Sequence, residues 1–207
     1  MSKTGIARGV HALCVVGWTA LGAQAGDRFD SAKEALAAGS CTRIEFLSII
    51  ESDIFDQVDT ARGSADIARD GRYRIVVGDD EYLSTGDSLY SYSVRHRQVT
   101  VEALSGGVDR STEISFVIRL DDFFKTVIIH PDSVYRLIRT SVDVVGLPDS
   151  LVLFMRTDTS AIDRIEYLDV NGELNRIVFL SIVPSPECTP GRFEPDFPDS
   201  VDVIRLN

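Results

Sequence analysis

From Cys41 to Val101 the sequence alternates apolar and polar residues with a period of two, and glycine-containing turns interrupt this alternation at short intervals. The period places successive side chains on opposite faces of a β-strand. Consecutive strands joined by such short turns pair in an antiparallel sheet. The predicted strands are 42–50, 61–68, 72–77, 81–85 and the two arms of a hairpin within 88–101. This pattern restricts the segment to a meandering antiparallel sheet.

One turn in this segment fixes which residues face each other. If residues 69–71 form a three-residue loop with Gly71 in the left-handed region, Ile67 shares a face with Tyr73. A two-residue loop would instead place Ile67 opposite the charged Arg74. Because the first arrangement keeps apolar residues together, the three-residue loop is the prediction.

A second series of strands follows in the C-terminal half of the chain. The predicted strands are 134–140, 142–145, 151–156, 162–170 and 174–182. Asn171-Gly172 between the last two is typical of a β-hairpin turn. The tail from Pro184 is rich in proline, and 201–206 is predicted to add an edge strand.

Two segments have the period of a helix. Ser31 and Glu34 have the spacing of a capping box, which predicts the start of an alanine-rich helix that Gly39 ends. The segment 111–125 predicts a second helix, in which apolar residues cover everything except a narrow polar stripe. A helix that packs on a sheet and exposes its other side to solvent would be apolar on one side only. The second helix is therefore either deeply buried or in contact with an apolar ligand.

The predicted sheet is wider than these helices can cover. Ten strands spaced about 4.8 Å apart give a width of ~48 Å, and two helices about 10 Å across cover less than half of it. The expected fold is mainly β with a helical lid. It is an unclosed (half) antiparallel barrel of about 10 to 11 strands around an apolar cavity.

Two groups of residues are predicted to line this cavity. The hairpin 88–101 has apolar residues on one side of each arm, and these are expected to continue the wall of the preceding strands. The predicted wall comprises Ile67, Tyr73, Ile75, Val77, Tyr90, Tyr92, Val99 and Val101. The predicted lid residues are Phe116, Leu120, Phe123 and Phe124. Small inward residues such as Gly63 are expected to leave room for a ligand.

The N-terminus has the pattern of a secretory signal peptide. A short basic region and a short apolar run end in Ala-Gln-Ala, so residues 1–25 are predicted to be the signal and 26–207 a single domain. The apolar run is shorter than the about 20 residues that cross a bilayer. Leu13 before Cys14 is not the small residue of a lipid-attachment site, so an exported chain without a lipid anchor is expected.

Charge and cysteine content narrow the function classes further. The formal net charge of −11 disfavours binding to nucleic acid, whose phosphates it repels, and unaided adsorption to anionic lipid.

After signal removal two cysteines remain, Cys41 and Cys188, and an even pair in an exported protein predicts a disulfide. Two free buried thiols are the alternative.

No pattern of residues points to catalysis. His96 lies in a predicted turn and His130 precedes a proline, and neither is close in sequence to a nucleophile in a known catalytic pattern. The sequence has no G-x-S-x-G motif, no metal-ligand cluster and no phosphate-binding glycine loop. We therefore expect neither an enzyme nor a cofactor or metal requirement.

Three stretches match the motifs of a known family in order and spacing. They are "GSADIARDGRYRI" (63–75), "YLSTGDSLYSYSVRHRQVTV" (82–101) and "FEPDFPDSVDVI" (193–204). They resemble the glycine-led strand and basic turn, the "LVSDGKTLWFYNPxxxQ" hairpin and the closing "FxPPxGVDVI" of the periplasmic carriers of outer-membrane lipoproteins, the LolA-like proteins.

The resemblance implies a monomeric periplasmic carrier that holds lipoprotein acyl chains in an apolar cavity. Its implied partners are an ATP-driven release complex in the inner membrane and an acceptor in the outer membrane. Arg69 matches the arginine that, in the family, bonds lid carbonyls and holds the empty carrier closed. The alternatives are a solvated turn arginine at this position, a lipid-sensing regulatory module of the same fold, and a lipocalin-like binder of a small hydrophobic ligand or glycolipid.

Overall fold

The computed structural model describes residues 27–52, 54–104, 117, 120–130, 133–140, 147–159 and 161–206. Within these ranges the helices are α1 (Asp27–Ala37) and α2 (Leu120–Phe123). The strands of the first half are β1 (Cys41–Ser52), β2 (Gln57–Ala68), β3 (Tyr73–Val77), β4 (Asp80–Ser84), β5 (Ser88–Ser93) and β6 (Gln98–Ala103). Those of the second half are β7 (Phe124–His130), β8 (Val134–Arg139), β9 (Ser150–Met155), β10 (Ile162–Leu168), β11 (Leu174–Ser185) and β12 (Asp202–Leu206). The predicted signal peptide 1–25, Phe116 and the predicted strand 142–145 lie outside the described residues.

All twelve described strands belong to one unclosed sheet. Their order is β12-β6-β5-β4-β3-β2-β1-β11-β10-β9-β8-β7, so β12 and β7 are the two edges. Neighbouring strands are antiparallel except β12, which runs parallel to β6. The predicted half-barrel with short helices is confirmed, with β7 as a strand that the sequence pattern did not predict.

Both predicted helix boundaries need correction. The first helix begins at Asp27, not at Ser31, so Ser31 lies within α1. The guanidinium of Arg28 donates hydrogen bonds to three carbonyl oxygens between β9 and β10, which anchors the first turn of α1. The second helix does not reach residue 125, because Phe124 opens β7. The sequence of β7 is rich in β-branched residues, which favour a paired strand over a helix.

The helices cover one face of the sheet, which we call the helix face. Along α1, Phe29, Ala32 and Leu36 are buried in the main hydrophobic core. The ring of Phe29 stacks on Tyr135 of β8 with 4.7 Å between centroids. Below α1 the core continues through Ile44 and other buried residues of the central strands. Full burial of each large apolar side chain contributes about 1.5–3 kcal/mol, which makes this face the main source of stability.

The predicted three-residue loop between β2 and β3 is confirmed. Ile67 lies opposite Tyr73, and the amide of Ala68 donates to the carbonyl oxygen of Arg72 at 2.7 Å. Gly71 has a φ of 92°, which a residue with a Cβ rarely adopts. The loop therefore sets the register that places Ile67 and Tyr73 on the helix face.

The C-terminal tail covers the opposite face of the sheet, which we call the tail face. Cys188 forms a disulfide with Cys41 of β1, as predicted. The guanidinium of Arg192 pairs with the buried carboxylate of Asp66, which also accepts a 2.8 Å hydrogen bond from Arg43. This ion-pair group and the disulfide fasten the first part of the tail to β1 and β2.

Aromatic residues fasten the rest of the tail. Phe193 is buried in a second, smaller core with Leu83. The ring of Phe197 lies 5.9 Å from that of Tyr90 and 5.3 Å from that of Tyr92. The tail then turns and adds β12 beside β6, as the sequence predicted for 201–206.

Candidate functional site

A cavity of about 640 Å³ lies between the two helices and the adjoining ends of β1 and β2. This volume falls in the range of small-molecule binding sites, about 300–1,000 Å³. The cavity is lined by Asp30, Lys33, Glu34, Leu36, Gly39, Cys41, Thr42, Ile67, Arg69, Val117, Leu120, Asp121 and Asp122. We call it the helix cavity, because it lies between the two helices and the sheet.

The apolar lining comes from several elements. Leu36 is contributed by α1, Ile67 by the end of β2, and Leu120 by α2, and Val117 precedes α2. All four side chains are buried and belong to the main core. The apolar part of the cavity is therefore continuous with the core, whereas charged residues of both helices form the remaining lining.

Lys33 connects the two helices beside this cavity. Its ammonium lies 2.9 Å from a carboxylate oxygen of Asp121 and 3.0 Å from one of Asp30, and 4.9 Å from the ring centroid of Phe29. Burial lowers the pKa of Lys33, but the hydrogen bonds and charges of Asp121 and Asp30 outweigh burial and raise the pKa above its ordinary value. The ammonium therefore stays charged at neutral pH and keeps α1 in contact with α2.

Gly39 shapes the end of the cavity where α1 meets β1. A Cβ built on Gly39 would lie 2.4 Å from the carbonyl oxygen of Ser185, a backbone atom that cannot move aside easily. The hydroxyl of Thr42 donates to the carbonyl oxygen of Leu36 at 3.3 Å and satisfies part of the helix C-terminus. The connection can pass this close to β11 because residue 39 has no side chain.

Arg69 lies at the rim of the helix cavity with an exposed side chain. Its backbone amide donates to the carbonyl oxygen of Ser40 at 3.0 Å. The guanidinium donates no hydrogen bond to any of the residues that the structure describes. The role of Arg69 as a latch thus remains a prediction, and in the described part of the chain Lys33 makes the interhelical ion pair.

Most of the predicted cavity residues lie on the helix face. Ile67 and Leu120 line the cavity itself. The others pack in or against the core around it: Tyr73, Ile75, Val77, Phe123 and Phe124. The space beside Gly63, predicted to leave room for a ligand, is filled by the ring of Phe46.

Four predicted cavity residues lie on the tail face, so the prediction of one continuous apolar wall is wrong. They are Tyr90, Tyr92, Val99 and Val101. The register places Leu89 opposite Ser84 and leaves Tyr90 opposite Leu83, whose side chain is buried beneath the tail. The apolar row of the hairpin is therefore covered by Phe193 and Phe197 instead of by a ligand.

In the row that contains Tyr82, the helix face becomes polar beyond β4. Tyr82 of β4, Ser91 of β5 and Thr100 of β6 follow one another across it. They line a shallow second cavity of about 220 Å³, together with His96 of the β5–β6 loop. The apolar lining suited to an acyl chain is thus confined to the region near α1 and α2.

The part that α1 plays in the site was not predicted from the sequence. Phe29, Ala32 and Leu36 recur at helical spacing, and this signal was available in the sequence. The ion pair between Lys33 and Asp121 could not be predicted from sequence periodicity, because it depends on the relative position of two helices far apart in the chain.

Two further observations concern metals and membranes. Among the described residues, no group of three or more histidine, cysteine, aspartate or glutamate side chains is arranged to hold a metal ion. None of the helices in the described ranges has the length and apolar character needed to span a membrane.

Several solved structures are similar to this one. An uncharacterised conserved protein from Thermus thermophilus aligns over 88% of this chain and 100% of its own, with a TM-score of 0.50 and 12% identity. A LolA superfamily protein from Nitrosomonas europaea covers 83% of this chain and 98% of its own, at a TM-score of 0.46 and 10% identity. A putative outer membrane lipoprotein-sorting protein domain from Vibrio parahaemolyticus covers 82% of this chain and 97% of its own, with a TM-score of 0.44 and 9% identity.

No protein-family model matches the chain, and no curated protein matches it. A LolA superfamily protein and a lipoprotein-sorting protein domain are among the solved structures to which this chain is similar. At these identities the likeness concerns the fold alone.

Proposed function

We propose that this protein is a periplasmic carrier that binds the acyl chains of lipoproteins in the helix cavity and moves them from the inner to the outer membrane. The observation that carries the proposal is a cavity of about 640 Å³, lined in part by apolar core residues, that lies between two short helices at one end of an unclosed sheet. The motif resemblance supports the lipoprotein cargo. The predicted signal peptide and the disulfide between Cys41 and Cys188 support an oxidising compartment such as the periplasm.

The energetics explain why such a carrier is needed. An acyl chain of about 15 methylene groups, at ~0.8 kcal/mol each, gains about 12 kcal/mol when it leaves water. Free diffusion of a lipoprotein between membranes is therefore prohibitively slow, and a carrier must bury the chain. The carrier must also release it without ATP of its own.

A weakly held pair of helices meets both requirements. The ion pair between Lys33 and Asp121 is partly exposed, and such pairs contribute about 0.2–1 kcal/mol. Contacts with a partner protein are sufficient to shift an open–closed equilibrium of a few kcal/mol. In this proposal an ATP-driven complex in the inner membrane loads the cavity, and an acceptor in the outer membrane receives the cargo.

Substitution of a cavity residue by a larger one tests the proposal. Leu120→Trp fills the apolar part of the helix cavity without introducing a charge, so we expect it to weaken binding of a fluorescent fatty acid at least tenfold, about 1.4 kcal/mol. The matched control is Val94→Trp, because Val94 is exposed in the β5–β6 loop and remote from the cavity in the sheet order. Binding is measured by fluorescence titration, and thermal unfolding checks that both variants fold.

The same titration has outcomes that contradict the proposal. If wild-type protein does not bind the fatty acid, or if Leu120→Trp and Val94→Trp bind it as wild type does, the helix cavity is not an acyl-chain site. Mass spectrometry of lipid that copurifies with the wild-type protein then identifies the cargo class, which distinguishes lipoprotein acyl chains from a glycolipid.

A further inference from the structure

The end of the sheet opposite the helix cavity exposes a group of large apolar side chains. They are Ile54, Phe55, Val58, Leu168 and Val170, which are 79%, 72%, 62%, 60% and 100% exposed. We call them the hairpin-tip surface. β1 begins beside the helix cavity and ends at this surface, and its twelve residues at about 3.3 Å each make the separation ~36–40 Å. The hairpin-tip surface is thus separate from the proposed acyl-chain site.

The sheet register brings these side chains together from two hairpins. Ile54 and Phe55 lie at the turn between β1 and β2, and Val170 lies at the turn between β10 and β11. Because β1 pairs with β11, the two turns lie side by side at the same end of the sheet. Exposed apolar residues that occur singly need no explanation, but a contiguous group is typical of an interaction surface.

An apolar row on the tail face continues this surface. Pairing across four strands places Val58, Glu51, Leu174 and Leu168 in one row, with a single charged member. The carboxylate of Glu51 is neutralised by Arg176 at 2.7 Å. The surface therefore extends from the two turns onto the adjoining strands.

The hairpin turn between β10 and β11 is held in a defined conformation. One carboxylate oxygen of Asp169 accepts hydrogen bonds from the backbone amides of Asn171 and Glu173, at 2.8 and 2.9 Å. Gly172 has a φ of 82°, which the turn requires. A surface that is ordered before binding loses less conformational entropy on association.

Apart from the ion pair of Glu51 with Arg176, the charged residues that flank the surface are acidic. Asp56, Asp59, Asp169 and Glu173 flank the apolar residues, and none of them forms an ion pair with a cation in the part of the chain that the structure describes. Unpaired carboxylates around an apolar centre repel an anionic lipid headgroup. They complement lysine and arginine residues placed around an apolar cleft.

From this combination we infer that the hairpin-tip surface docks a protein partner that presents an apolar groove bordered by lysine or arginine side chains. Ile54, Phe55 and Val170 supply the apolar contact, and the surrounding carboxylates supply attraction and orientation. This inference does not rest on acyl-chain binding, because it concerns the opposite end of the sheet.

A labelled synthetic peptide serves as the probe of this chemistry. The peptide forms an amphipathic helix with leucine on one face and lysine on the other, and its binding is measured by fluorescence anisotropy at two salt concentrations. We expect saturable binding that weakens at high salt. Phe55→Ser combined with Val170→Ser should weaken it about tenfold or more. The control combines Val94→Ser with Val203→Ser, two valines exposed elsewhere, and should bind as wild type does.

A charge-reversal variant gives an independent measurement. Asp56→Lys combined with Asp59→Lys leaves the apolar residues in place and should also weaken peptide binding. Equal affinity of the wild-type, serine and lysine variants would overturn the inference. The inference also fails if Phe55 and Val170 govern binding to phosphatidylcholine or phosphatidylglycerol vesicles, or self-association in sedimentation, in place of peptide binding.

Discussion

Lys33 forms the ion pair that joins the two helices beside the helix cavity. The side chain of Lys33 is about one-quarter exposed, whereas the side chain of its partner Asp121 is mostly exposed. Water and salt therefore weaken the attraction, and the pair closes the two helices over the cavity only loosely. The exposed guanidinium of Arg69 at the same rim makes no such contact with the described residues.

A comparison of two substitutions separates the roles of these cations. Lys33→Met keeps most of the side-chain length but removes the charge, so we expect faster release of a bound fluorescent fatty acid and a change in the free energy of unfolding below about 1 kcal/mol. If Arg69 is the latch, Arg69→Leu loads cargo but passes it to the outer-membrane acceptor more slowly than wild type. Stopped-flow release and a transfer assay provide the two measurements.

Lys125→Met is the control for these experiments, because Lys125 is an exposed lysine on the edge strand β7. Delivery by Arg69→Leu at the wild-type rate would leave Arg69 as a solvated turn residue. Unchanged fatty-acid release from Lys33→Met would exclude the interhelical ion pair as the closing contact.

Sequence periodicity is sufficient to predict the register and the covered face of some strands but not of others. The loop that ends β2 has its own glycine signal, and the register of Ile67 against Tyr73 followed from it. The two-residue connection of Gly78 and Asp79 then pairs Val77 with Asp80. From there, β4 and β5 carry large apolar residues on both faces, so their alternation does not identify the face that the helices cover.

The covering segment explains the error at the hairpin of β5 and β6. Tyr90 and Tyr92 do form an apolar row, as the sequence indicated, but Phe197 packs on them. Phe197 belongs to an irregular, proline-rich segment without periodicity, so no local pattern predicts its position. The start of β7 at Phe124 was missed for a similar reason, since pairing with β8 decides between strand and helix there.

Gly63 provides a test of the central strand pair. A Cβ on Gly63 would lie 2.3 Å from the ring of Phe46, which is fully buried on the neighbouring strand. Gly63→Ala should therefore force a shift of the ring and lower the free energy of unfolding by about 1–3 kcal/mol in urea titrations. Ser64→Ala, the next residue on the opposite face, should cost less than half as much. Equal stability of Gly63→Ala and wild type would show that the core beside β2 is loosely packed.

At the scale of the whole molecule, the sheet separates two cores. The helix face holds the main core and the cavity, and the tail face holds a smaller core around Leu83 and Phe193. The disulfide between Cys41 and Cys188 was predictable from the number of cysteines and the predicted signal peptide. The part of the tail that it fastens, and the face that the tail covers, depend on packing between residues far apart in sequence.

Removal of the disulfide tests how far the tail stabilises the molecule. The bridge closes a loop with a sequence separation of 147, which restricts the unfolded chain by about 4–5 kcal/mol in the chain-entropy model. Cys41→Ala combined with Cys188→Ala should lower the free energy of unfolding by about 2–5 kcal/mol. Urea unfolding of this variant should match that of reduced wild type. A loss below about 1 kcal/mol in both would mean that Phe193 and Arg192 hold the tail without the bridge.

The central position of β1 has a consequence for the order in which this protein folds. β1 pairs with β2, which follows it directly, and with β11, which is synthesised near the end of the chain. The strands from β1 to β6 can pair as they emerge, but β1 then keeps an open edge until β11 arrives. Such an edge is a template for association with other chains, and pairing between distant segments is slow. We therefore expect the yield of native protein to depend on how quickly the last third of the chain reaches the first, a property of how the chain assembles rather than of the finished fold.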